Sequence, residues 1–209
     1  MPTALITGAS RGLGLALARA LSDDGWSLVL TARHDLPSIS RAVLIPGDIS
    51  DHQHRQRLAD AGPIDLLVNN ASALGPMPAL RDYPIQDLRR VYEVNVFAPL
   101  ALVQLLRPTH IINVSSDAGS EAYEGWGGYG SSKAALDHLT AVLALEQPTT
   151  TVQSFDPGDM RTQMHQEAFP GEDISDRPLP ETVVPAMLQL LDLPSGRYRA
   201  ADLQPVAAR

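Results

Sequence analysis

The sequence predicts an α/β fold: a Rossmann-like, doubly wound parallel sheet of about seven strands, with helices on both faces and a shortened second crossover. Three observations predict it. A β-branched strand, Thr3 to Thr7, runs directly into a glycine-rich turn and an apolar helical repeat, which is how a dinucleotide-binding unit begins. Further strand-like apolar runs alternate with helical stretches along the chain, the pattern of a parallel sheet. The only lysine, Lys133, stands four residues after Tyr129 near the start of a long helical pattern.

Composition bounds the function classes. The chain has 209 residues, 44% of them hydrophobic, with no linker or repeat, so a single domain spanning 1–209 is expected. A net charge of −8 without a basic cluster argues against nucleic acid as a partner. No cysteine is present, which removes disulfides, thiolate catalysis and cysteine-ligated metal. The six histidines are scattered or lie on polar surface, so no metal site is expected. The N-terminus begins a strand at once, without a signal peptide, and no apolar run approaches membrane-spanning length. A cytoplasmic protein without a membrane partner is the expectation.

In chain order, Thr3–Thr7 leads into Gly8, Ser10, Arg11, Gly12, Leu13 and Gly14, then into a helix stopped near Gly25. The glycines allow unusual backbone angles and let a pyrophosphate approach the amides at the helix start. The second strand, 27–33, ends at Arg33. An arginine at that tip suits the 2′-phosphate of NADP, whereas an acidic residue would suit NAD; Arg11 can supply a second guanidinium. Asp35 nearby and a merely solvated Arg33 are the competing considerations.

Only eight residues, 34–41, separate this strand from the next at 42–45, too few for a full crossover helix, which needs about 10 to 12. That flank of the sheet should be thinly covered. Asp48 and Ile49 follow, where the aspartate either meets the adenine or caps the helix at 51–61. The apolar run 65–71 reads as a central strand ending in Asn69, Asn70, Ala71 and Ser72. The asparagine pair either stabilises the sheet edge or lines the cofactor.

A proline-rich loop, 73–84, precedes one long helical stretch, 85–106, interrupted by Asn95 and Pro99. A distortion there would free a backbone carbonyl for a water. The strand 110–116 then delivers Ser115 and Ser116 to the same edge as the asparagines. A helix opening at Tyr129 runs to about 146, a strand covers 150–155, and Pro157, Gly158, Met160 and Thr162 follow. Residues 163–180 are polar and aperiodic, so they read as a substrate lid; a helix at 181–193 and a short strand at 196–203 close the chain.

The Tyr129–Lys133 spacing has a physical use. Four residues apart on a helix, the two side chains share a face. A tyrosine with a pKa near 10 is a poor base at neutral pH, and an adjacent ammonium favours its phenolate. The chain has five tyrosines, so a single lysine falls four residues after one of them by chance only roughly 2% of the time. A plain surface pair is the alternative, and the neighbouring motifs speak against it.

Together these motifs resemble the short-chain dehydrogenase/reductase family over nearly the whole chain. Thr7–Gly14 is similar to its TGxxxGxG turn and Asn69–Ser72 to its NNAG, with serine replacing the last glycine. Asn95 has the setting of the family's catalytic asparagine. Ser116 lies thirteen residues before Tyr129, a common family spacing, which makes Ser115 the lesser candidate. Tyr129–Lys133 fits YxxxK, and 156–162 resembles the PGxxxT segment at the nicotinamide.

The resemblance implies an NADP(H)-dependent oxidoreductase, with NAD(H) the less favoured cofactor, that interconverts a carbonyl and an alcohol. Ser116, Tyr129, Lys133 and Asn95 are the implied catalytic set, with Tyr129 as general acid/base. The cofactor-binding set is Gly8, Ser10, Arg11, Gly12, Leu13 and Gly14 of the turn with Arg33, Asp48, Ile49, Asn70, Ala71, Tyr129, Lys133, Pro157, Gly158, Met160 and Thr162. The partner is a small-molecule carbonyl or alcohol, and a homodimer or homotetramer through helices 85–106 and 129–146 is implied as well. A catalytically silent dinucleotide-binding regulator is the alternative. An epimerase or dehydratase of the related extended family lacks room for its larger substrate domain.

Overall fold

A computed structural model of the chain describes residues 1–203. Seven strands form one parallel sheet in the order β3-β2-β1-β4-β5-β6-β7: β1 Thr3–Thr7, β2 Ser27–Thr31, β3 Ala42–Leu44, β4 Leu66–Asn69, β5 His110–Val114, β6 Thr151–Asp156 and β7 Gly196–Arg199. The chain winds outward from β1 to β3, then returns to build away from β4. The winding therefore reverses between β1 and β4, where doubly wound sheets open a crevice at their carboxyl ends.

The inner strands β1, β2, β4, β5 and β6 bury both faces, and period-two alternation divides their side chains between two cores. Ala4, Ile6, Leu28, Leu30, Leu66, Val68, Ile112 and Phe155 face α1 (Gly12–Asp23) and α7 (Pro180–Gln189). Leu5, Val29, Leu67, Ile111 and Val152 face the opposite layer of α2 (His52–Ala59), α4 (Ala98–Leu106) and α5 (Gly127–Glu146). In-register parallel pairing keeps these rows continuous across the sheet.

Residues 34–41 hold no helix. Val43 and Leu44 on β3 are consequently 57% and 38% exposed. The stretch 85–106 is three pieces rather than one helix: α3 (Ile85–Tyr92), a π-helical segment Glu93–Phe97, and α4. Pro99 lies four residues after Asn95 and has no N–H to close an α-turn on the Asn95 carbonyl, so the wider turn falls there. Two expected strands end early. β2 stops at Thr31 and β5 at Val114, which leaves Arg33, Ser115 and Ser116 on the loops beyond. The segment 163–180 carries one short helix, α6 (Gln163–Ala168), and β7 gives way to a 3₁₀ turn at Ala200–Asp202.

Candidate active site

A cleft of about 570 Å³ opens where the winding reverses. Gly8 turns the chain off β1 with φ +69°, and a Cβ there would stand 2.9 Å from the Ala71 backbone. A Cβ on Gly14 would come within 2.5 Å of the Gly8 carbonyl. Only glycine lets α1 start this close to the strand ends. Asn70 clamps the turn through Nδ2 to the Thr7 and Gly8 carbonyls, at 2.9 and 3.2 Å, and the Asn70 and Ala71 amides donate to the Thr7 hydroxyl. Asn69 instead donates to Asn113 at 2.8 Å inside the sheet. The asparagine pair thus divides the two roles left open by sequence.

No side chain caps the N-terminus of α1, so its first amides point unclaimed into the cleft, at the positive end of the helix dipole. Arg11 and Arg33 flank that opening, and Arg11 also bonds Gln163 on α6. Asp48 lines the same end but does not cap α2, whose N-cap is Asp51, accepting from Gln53 at 3.0 Å. Burial works against the Asp48 carboxylate, yet bonds from the Ser50 amide and hydroxyl, with Arg33 nearby, hold it below its usual pKa. His54 is fully buried rather than solvated. Arg57 donates to its Nδ1, so its Nε2 carries the proton toward Thr31 at 2.7 Å.

At the other end the reactive pair comes together on α5. Tyr129 is 9% and Lys133 2% exposed, and the lysine Nζ lies 5.5 Å from the phenol ring centroid while donating to the Val114 carbonyl at 2.7 Å. Burial pushes the Tyr129 phenol up to about 12, opposed by hydroxyls of Ser116 and Ser72 facing it and reinforced by Asp156 and Asp117. Burial likewise drives Lys133 down to about 8, against Asp137 one turn further on. Among the protein's own groups, burial has the largest influence on the phenol, and it acts against the phenolate.

Ser116, not Ser115, faces the phenol. Its hydroxyl donates to Asp117 at 2.9 Å; having one proton to give, it must release Asp117 to serve an oxygen at Tyr129. The Ser115 hydroxyl is buried beside the cleft without a hydrogen-bond partner. Asn95, fully buried behind the cleft, accepts from Ser72 Oγ at 3.1 Å and Ala73 N at 2.8 Å, and donates to the Ala73 carbonyl and Ser132 Oγ, each at 2.9 Å. Of the expected residues, all but Asn95 and Gly14 line the one cleft.

Sequence reasoning missed three contributors. Ser72 meets both Tyr129 and Asn95; its signal was the departure from the NNAG pattern. Asp137 stands four residues after Lys133 on the same helix face, bonds Ser154 Oγ and receives Arg197 Nε at 3.1 Å. Arg197 also donates to the Ser116 carbonyl at 3.2 Å and lies 3.8 Å from Asp156. Nothing in the local sequence ties β7 to Ser116, because only the sheet register brings them together.

A sequence model of the family described as short chain dehydrogenase matches residues 2–173. Benzil reductase of Saccharomyces cerevisiae is 33% identical over 192 residues, covering 78% of this chain and 73% of that protein. A short-chain dehydrogenase structure from Pseudomonas syringae superposes with a TM-score of 0.89 at 31% identity, covering 95% of this chain and 94% of the other. A short-chain dehydrogenase from Shigella flexneri, complexed with NADP, gives 0.86 at 25% identity over 96% and 97% of the two chains. The chain belongs to the short-chain dehydrogenase/reductase family. It is an NAD(P)-dependent oxidoreductase acting on small molecules. Among the described residues, no helix is long and apolar enough to cross a membrane.

The cleft's own features fit a dinucleotide: the uncapped α1 N-terminus, the glycine cradle that a Cβ would fill, and the orphaned Ser115 hydroxyl.

Proposed function

We propose that the protein is an NADP(H)-dependent carbonyl reductase, equally able to run as an alcohol dehydrogenase, with Tyr129 as the proton donor and acceptor. The observation that carries this reading is the buried Tyr129 phenol, flanked by Ser116 and Ser72 with Lys133 one turn away, in the same cleft as the glycine turn. Arg11 and Arg33 support the 2′-phosphate of NADP, and the Shigella relative was solved with NADP. The yeast relative is named for reducing benzil, a diketone.

Bound here, the cofactor supplies or accepts the hydride. Ser116 turns its hydroxyl from Asp117 to the substrate oxygen, holding it against Tyr129 and stabilising the charge that develops on it. Tyr129, protonated at neutral pH with a pKa near 12, gives its proton to that oxygen. Lys133 would leave the Val114 carbonyl for the nicotinamide ribose, and its ammonium would then stabilise the phenolate left when Tyr129 gives up its proton. Asn95 holds Ala73 and Ser72 in place and, with its carbonyl in the π-segment, keeps a water route to Lys133. Residues 1–209 act as one domain with 163–180 as its lid, and pairing through the helical stretch 85–106 and α5 makes the dimer or tetramer.

Tyr129→Phe tests the reading. Turnover of every carbonyl should fall by at least about 10³-fold while NADPH still binds. A variant keeping most activity refutes the role of Tyr129, and a wild type that binds NADPH but reduces no ketone or aldehyde is the silent regulator.

A further inference from the structure

Beyond Tyr129 the cleft is walled by Leu74, Trp126, Met164 and Ala168, with Met77 packed behind them. Trp126 stands edge-on to Tyr129, ring centroids 5.9 Å apart at 73°. Phe169 backs Trp126 at 5.8 Å, and His165 follows 4.9 Å from Phe169. Three loops distant in sequence thus converge on one aromatic and thioether surface beside the reactive phenol. No wall residue carries a cation. Arg197 and Arg199 are committed to Asp137, Asp156 and Glu121, His165 lies 3.6 Å from Asp159, Arg161 bonds the Ser175 carbonyl, and beside the phenol the carboxylates Asp156 and Asp117 stand with Lys133, which bonds the Val114 carbonyl.

These features discriminate between substrates. Tryptophan and methionine favour a flat, polarizable group. A carboxylate or phosphate on the substrate would meet Asp117 and Asp156 and find no cation on this wall, and a polyol would leave hydroxyls unpaired against it. We infer that the substrate is a neutral aryl ketone, its carbonyl oxygen at Tyr129 and Ser116 and its ring between Trp126 and Met164. This rests on the reductase reading above. The dihydronicotinamide C4–H bond would break, and its hydrogen, carrying both electrons, would bond to the carbonyl carbon. The C=O π pair moves onto oxygen, which takes the Tyr129 proton, so the ketone becomes a secondary alcohol and the dihydronicotinamide is oxidised to nicotinamidium.

The test uses three α-dicarbonyls with NADPH-saturated protein: 1-phenyl-1,2-propanedione, 2,3-butanedione, which lacks the ring, and benzoylformate, which replaces the acetyl group by a carboxylate. The phenyl diketone should exceed butanedione in kcat/KM by at least about tenfold and benzoylformate by about 100-fold. Trp126→Leu should lower the phenyl-to-butanedione ratio by at least about tenfold, and Met164→Lys should raise benzoylformate relative to the phenyl diketone. Butanedione or benzoylformate reduced as well as the phenyl diketone overturns the inference while leaving the reductase reading intact. Equal losses on both diketones in Trp126→Leu overturn it too, since they mark a purely structural tryptophan. Reduction of none of the three by protein that binds NADPH overturns the reductase reading, and this inference with it.

Discussion

On the β5–β6 flank, α5 is tied to the sheet by polar side chains along one face, whereas at the opposite edge β3 is nearly bare. Lys133 reaches the Val114 carbonyl, Asp137 reaches Ser154, and Thr140 receives Asn113 at 2.8 Å, all on successive turns. Asn69 extends the row to β4. Rotating or sliding this helix would strand several buried hydrogen-bonding groups at once, which locks the Tyr129–Lys133 geometry. Across the molecule, residues 34–41 provide no helix, and Arg41 turns the chain in the left-handed region at φ 57°. There the adenosine end is shaped by loop side chains and charge. The Tyr129–Lys133 pair is thus fixed by buried polar packing, whereas Arg11 and Arg33 at the other end of the cleft stand on exposed loops.

The contrast can be broken most strongly at Asn95. Asn95→Ala leaves the Ala73 amide and carbonyl unpaired in a buried site, so urea unfolding should show a loss of ~3 kcal/mol. A loss below ~1 kcal/mol would mean the roof of the site is held by other groups.

Lys133 sharpens the same flank through pH. Its folded pKa, about 8, lies below the ordinary 10.5, so between those values the unfolded chain binds more protons and stability rises with pH, by at most ~3 kcal/mol. Tyr129 acts in the opposite sense above pH 10, because its folded pKa is raised to about 12. Stability measured from pH 8 to 10 should therefore climb in the wild type and flatten in Lys133→Met. A climb of the same size in the variant would assign it to another group.

On the loop-built flank the expected effects are smaller. Arg33→Ala should cost about tenfold in NADPH affinity with little change for NADH, read from quenching of Trp126 in the cleft. Equal losses for both cofactors would remove Arg33 from phosphate selection. Val43→Thr, on the uncovered β3, should change stability by no more than ~0.5 kcal/mol while reducing self-association in light scattering. A larger destabilisation would show that β3 is covered in solution.

Local regularities were legible in the sequence. β1 begins and ends where its β-branched run does, and the eight-residue gap at 34–41 foretold the missing helix and the exposed β3. Tyr129 and Lys133 could be paired because four residues along a helix is a short-range geometric fact. Ser72 was visible only as a departure from a pattern, and Arg197 not at all, since its partners lie on α5 and at the ends of β5 and β6, reached through sheet register. The burial of the phenol was hidden for a related reason: a neighbouring charge can be read from spacing, but burial cannot.

By itself the sequence determined the parallel α/β order, the glycine turn and the identity of the groups that meet in the cleft, because each depends on contacts a few residues apart. Only the tertiary structure decided that Asn69 and Asn70 part company, that Arg197 reaches the Ser116 carbonyl, and that burial raises the phenol's proton affinity. Those outcomes depend on what remote segments bring alongside a side chain, and on how much water they exclude from it.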